Sequence, residues 1–111
     1  AKTIGDFKVL TAKIDDGISV DDLRTMALDI KNRLGESVVA LASTSADKPV
    51  LVVAVSDAPR AKGVKAGALV KIASGVLGGG GGGKDDFAQG GGSNIAEIPN
   101  ALSAIEKAIS N

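Results

Sequence analysis

The chain contains no cysteine, no histidine, no tryptophan and no tyrosine, and its aromatic residues are Phe7 and Phe87 alone. Each absence closes a class of chemistry. Without cysteine there is no disulfide framework and no thiolate nucleophile. Without histidine the commonest general base and metal ligand is missing, so an imidazole-dependent enzyme is excluded within these residues. Two phenylalanines are too few for a stacking platform that follows a single strand of nucleic acid. No apolar run approaches the roughly 20 residues of a membrane span, and no signal-peptide pattern opens the chain, so a cytoplasmic protein that does not engage a membrane is expected. The 13 basic residues balance 13 acidic ones, so no net field draws in polyanions.

A length of 111 residues with 44% hydrophobic and 23% charged content suits one domain over residues 1–111 built on a single core. Ala1 stands where an initiator methionine is expected, which reads as a piece of a longer chain. Phe7 to Ile14 alternates as a strand, with Leu10, Ala12 and Ile14 on one face and Phe7, Val9 and Thr11 on the other. Ser19 followed by Asp21 and Asp22 is a helix start. Val20, Leu23, Met26, Ala27, Ile30 and Leu34 then form one apolar stripe, and Gly35 stands at the terminator position.

Val38 to Ala42 and Val50 to Val55 are nearly continuous β-branched or small apolar runs, which fit central strands buried on both faces. The turn-rich segment Ser43 to Pro49 predicts a hairpin between them, whereas the preceding strand-helix-strand step predicts parallel pairing. Pro59 suits a short first helical turn, with Gly63 and Gly67 separating it from a helix over Ala66 to Leu77. Leu69, Val70, Ile72, Ala73, Val76 and Leu77 are expected to pack that helix on the sheet. Phe87 to Gln89 is expected to add a short strand. Pro99 opens a last helix that covers the sheet with Leu102, Ile105, Ala108 and Ile109. The predicted class is α/β: a two-layer sandwich, a mixed sheet of roughly three to five strands covered by helices, in the order β-α-β-β-α-(β)-α.

Glycine is the abundant residue, and it is concentrated. Gly78, Gly79, Gly80, Gly81, Gly82 and Gly83 run without interruption, Lys84-Asp85-Asp86-Phe87-Ala88-Gln89 follow, and Gly90, Gly91 and Gly92 close the segment. Fixing one residue costs about 1–2 kcal/mol and glycine loses the most freedom, so six in a row oppose order by roughly 6–12 kcal/mol. Either the segment stays mobile as a linker, or it is ordered because something must approach bare backbone that a Cβ would block. The second glycine cluster favours a folded site. The run satisfies both dinucleotide and phosphate-loop patterns literally, but those need a strand before the loop and a helix opening after it, and the lysine needs Ser or Thr next to it. Here a helix precedes, and Asp85 follows Lys84.

Exposed amides in two glycine strips can bind phosphate as a concave nest, or meet a base pair or a protein as a flat surface. From Ala58 to Lys84 the chain carries Arg60, Lys62, Lys65, Lys71 and Lys84 and no acid, a basic region beside the glycines, although a solvated helix face has the same composition. Without aromatic stacking, recognition of a folded, shape-defined nucleic acid through backbone and lysine contacts stays open. Asp85 and Asp86 lack a converging set of ligands, so no metal site and no catalytic residue is assigned.

The stretch from Ala66 to Ala73, and then from Val76 through the glycines and Lys84-Asp85-Asp86-Phe87-Ala88-Gln89 to Gly92, resembles the DHH-associated domain at the C-terminal end of alanyl-tRNA synthetases. The ordered signature G-G-x-G-G-G-(K/R)-x-x-x-A-Q-G-G is specific, and the strand pair before it and the helix after it match as well. The resemblance implies a noncatalytic module of an aminoacyl-tRNA synthetase that holds the outer corner of alanine-specific tRNA and helps aminoacylation and editing act on one molecule. Together with the basic window read above, it makes Arg60, Lys62, Lys65, Lys71, Gly78 to Gly83, Lys84, Gln89 and Gly90 to Gly92 the expected RNA-binding residues. ATP, magnesium and zinc are implied for the parent ligase's other domains and no cofactor for this one. Dimerisation is implied through a helical portion that is absent here. Two alternatives remain. A related branch serves DHH phosphoesterases acting on oligonucleotides or cyclic dinucleotides, where the glycine motif typically ends in a histidine this chain lacks; a protein interaction module is the other.

Overall fold

The structure, a computed structural model, describes residues 2–110. The elements are β1 (Lys2–Ile4), β2 (Phe7–Lys13), α1 (Val20–Leu34), β3 (Ser37–Ser45), β4 (Lys48–Val55), α2 (Asp57–Ala61), α3 (Ala66–Val76), β5 (Gly81–Gly83), β6 (Phe87–Gly91) and α4 (Ile98–Ser110), with a 3-10 turn at Ile95–Glu97. The strands make one sheet in the order β1-β2-β3-β4-β6-β5. β2 and β3 run parallel across the α1 crossover, and the other neighbours are antiparallel.

The mixed α/β class expected from the sequence holds, with two adjustments. The sheet has six strands, because two three-residue strands, one of them all glycine, extend its edges. Helices also cover both faces, which makes three layers instead of two. The reason lies in β3 and β4. Their apolar residues occupy nearly every position, so a period of two sends half to each face and both faces need cover. Val39, Leu41, Val52 and Ala54 pack under Leu23 and Ala27 of α1. Val38, Ala40, Ala42, Leu51, Val53 and Val55 pack against α3 and α4 on the other side.

Local signals explain the ends of the elements. The Ser19 hydroxyl accepts the Asp22 amide at 3.2 Å at the start of α1, and Gly35 ends the helix at φ 80°. The β3–β4 turn is tighter than the Ser43 to Pro49 segment expected: the strands run on to Ser45 and from Lys48, and Ala46 and Asp47 turn with φ 53° and 63°. Such a two-residue left-handed turn matches the twist of a hairpin. Ser43 tolerates its buried place in β3 by donating to the Asp15 carbonyl at 2.7 Å. Two helical positions differ from expectation. Ile72 is 44% exposed and Ala108 is exposed as well, because α3 and α4 pack side by side and leave these two beside an open cavity rather than on the sheet.

Candidate nucleic-acid interface

The glycine segment is an ordered β-hairpin at one end of the sheet. After α3 the chain turns at Gly78 (φ 77°), and the Gly79 amide donates back to the Ser74 carbonyl at 2.9 Å. β5 then pairs with β6 so that Gly81, Gly82 and Gly83 face Gly90, Gln89 and Ala88. The hairpin closes through the Lys84 amide donating to the Phe87 carbonyl at 2.9 Å. Its tip is tied down. The Asp85 and Lys84 carbonyls accept from the Ala66 and Gly67 amides at 2.9 and 3.1 Å, and so satisfy donors at the start of α3 that no side chain caps.

The glycines divide into two sets by the period of the strand. A Cβ on Gly81 would lie 2.9 Å from the Val70 side chain and 2.4 Å from the Gly90 Cα. A Cβ on Gly90 would lie 2.3 Å from the Ser74 hydroxyl, and Gly79, Gly83, Gly91 and Gly92 are similarly pressed against neighbouring backbone. These residues are glycine because α3 and the adjoining strands pass too close for anything larger. Gly80 and Gly82 differ: a Cβ on either would meet nothing within 4 Å, and neither has a positive φ. Packing inside the chain gives no reason for glycine at these two positions.

Gly82 and Gln89, paired across the strands, belong to the face shared with Phe87 and α1. α1 packs chiefly over β3 and β4, which leaves the glycine end of that face open. There a cavity of about 300 Å³ is lined by Arg24, Gly82, Gly83, Lys84, Asp86, Phe87, Ala88 and Gln89. The Arg24 guanidinium lies 5.1 Å from the centroid of the Phe87 ring, within cation–π range.

Of the five basic residues singled out from the sequence, Lys84 alone lines this cavity. Lys62 and Lys65 line a separate one of about 380 Å³, where the Lys62 ammonium donates to the Asp6 carboxylate at 2.9 Å. The Arg60 guanidinium is held by Asp57, and Lys71 is exposed on α3, whose opposite face is against the sheet. Gly78 and Gly79 shape the entry to the hairpin, and Gly90, Gly91 and Gly92 form its packed return. Arg24 was missed by sequence reasoning because it follows two aspartates in an otherwise ordinary helix. Its one signal is position: it flanks Leu23 in the buried stripe of α1, at the edge that meets the sheet.

No histidine or cysteine exists in the chain, and the described residues contain no group of three or more acidic side chains that could hold a metal ion. No helix among the described residues is long and apolar enough to cross a membrane. The glycine run connects a helix to a strand, the reverse of the strand-to-helix context a nucleotide phosphate loop requires.

Residues 6–111 of this α/β/α domain match the DHHA1 domain family, and the chain belongs to it. Among curated proteins it is similar to the alanine–tRNA ligase of Renibacterium salmoninarum, 54% identical over 98% of this chain, and to that of Thermobifida fusca, 45% identical over 98%. It spans 12% and 13% of the length of those relatives. Among solved structures it is similar to the C-Ala domain of Aquifex aeolicus alanyl-tRNA synthetase, with 32% identity and a TM-score of 0.88, covering 99% of this chain and 97% of that one.

Proposed function

We propose that this domain is the noncatalytic tRNA-binding module of a cytoplasmic alanine–tRNA ligase, holding the outer corner of alanine-specific tRNA so that aminoacylation and editing elsewhere in the parent act on one bound molecule. The observation that carries the reading is the pair Gly80 and Gly82, glycines whose missing side chains serve no contact within the chain. A bare strand can approach the contour of a folded RNA more closely than any substituted one, and Lys84 beside it supplies a phosphate partner. ATP and the parent's metals act in its other domains, and this domain contributes position.

That these relatives are alanine–tRNA ligases supports the choice of tRNA over a protein partner. The missing histidine in the glycine motif speaks against the phosphoesterase branch. Filter binding tests the reading: folded alanine-specific tRNA is expected to bind at least tenfold more tightly than an unstructured RNA of equal length. Equal affinity for the two would remove the elbow assignment.

A further inference from the structure

We propose that the open groove lined by α3, α4 and the β1–β2 turn docks an acidic amphipathic helix of another polypeptide. The inference stands apart from the RNA-binding reading, because the groove shares no lining residue with the glycine cavity. Its volume is about 380 Å³ and its lining is largely apolar. Val70, Ala73 and Leu77 turn α3 onto the core, which leaves Ala68 and Ile72, one helical turn apart, on the groove side. Ala108 of α4 lines the same space, and all three of these residues are exposed. An apolar surface of this kind, gathered in a groove instead of scattered singly, marks a contact site.

The charges at the groove decide the partner. Two lysines and no acid line it. The Lys62 ammonium lies 6.0 Å from the Phe7 ring centroid and donates to the Asp6 carboxylate, so its charge is matched within the chain. Lys65 makes no ion pair among the described residues, and the first turn of α3 that follows it carries no acid. Lys71, exposed and next to Ile72, makes none either. An apolar groove with unmatched positive charge beside it is complementary to a helix whose apolar stripe is flanked by Asp or Glu. The spacing agrees, since side chains one turn apart on α3 meet anchors one turn apart on an incoming helix. A second copy of this chain fits poorly. A two-fold contact sets one patch against itself and would bring Lys65 and Lys71 of one copy toward those of the other.

The test uses a synthetic peptide with leucine at i, i+3, i+4 and i+7 and with glutamate and alanine elsewhere, beside a second peptide carrying lysine in place of each glutamate. In NMR titrations of the 111-residue chain, the glutamate peptide is expected to shift the amides of Ala68, Ile72 and Ala108. It should bind about tenfold more tightly than the lysine peptide, and the difference should shrink as salt rises. Ile72→Ser, at a position already open to water, should weaken the glutamate peptide about tenfold, and Lys65→Glu should bring the two peptides' affinities together. The Ile72→Ser variant is expected to bind folded tRNA as the wild type does. Equal binding of the two peptides, shifts that map to another face, or no binding at millimolar concentration overturns the proposal. So does an Ile72-dependent dimer in sedimentation velocity, which would assign the groove to a second copy. A loss of tRNA affinity in Ile72→Ser would assign it to RNA and overturn the proposal equally.

Discussion

Gly82 and Gly90 sit on opposite faces of the same two-stranded ribbon, and that difference separates fold from function one residue at a time. Glycine within a strand costs roughly 0.5–1 kcal/mol relative to alanine, so Gly82→Ala, which meets nothing within 4 Å, should leave stability unchanged or raise it slightly while weakening tRNA binding severalfold. Gly90→Ala forces a methyl against Ser74 and Val70 and should destabilise by about 1–3 kcal/mol, the usual cost of overpacking. Thermal unfolding beside filter binding checks the pair, and a Gly82→Ala variant that keeps full affinity would contradict the open-face argument. The abundance of glycine was plain in the sequence, but a run of identical residues carries no alternation, so which of them face outward required the register against Gln89 and Ala88. Gly81, at the centre of the run, turns out to belong to the packed set. Arg24 was hidden for a different reason: its contact with Phe87 joins α1 to β6, far apart in the chain.

Elements with a strong periodic or capping signal were legible: α1 through Ser19 and its apolar stripe, β3 and β4 through their unbroken apolar runs, β6 through Phe87 and Ala88. β1 and β5 were not, since three residues cannot express a period and glycine has no strand preference to read. The start of α2 is held from a distance in sequence. The Glu36 carboxylate accepts from the Ala58 amide at 2.7 Å and the Ser56 hydroxyl at 2.8 Å, and Ser56 in turn accepts the Ser37 amide at 2.8 Å. The Ala58 N–H first, and then the Ser56 hydroxyl, hold the Glu36 carboxyl below the ordinary glutamate range. A depressed carboxyl contributes stability that is present above its unfolded value and lost as pH falls through the folded one. Glu36→Gln should therefore melt below the wild type at neutral pH, with the gap closing under acid conditions. A gap that is constant from neutral pH to about pH 3, below the ordinary glutamate value of about 4.3, would show that the charge is irrelevant.

At the scale of the molecule, zero net charge means that RNA meets no broad attractive field. Arg60 and Lys62 are already paired with acids, and Lys65 and Lys71 lie away from the glycine cavity. Few phosphates are therefore neutralised at once. The plot of log affinity against log salt should have a shallow slope of roughly −1 to −3, since each phosphate contributes about 0.7–0.9. Lys84→Ala should flatten it by about 1. A slope steeper than about −5 would mean that contacts outside the hairpin dominate.

The hairpin tip hangs from the first turn of α3 by the two hydrogen bonds to Ala66 and Gly67. A strap anchored in this way has already surrendered its freedom before any visitor arrives. Association then needs no freezing of loose glycines, and its rate should follow simple encounter, with no lag for a disordered segment to take shape.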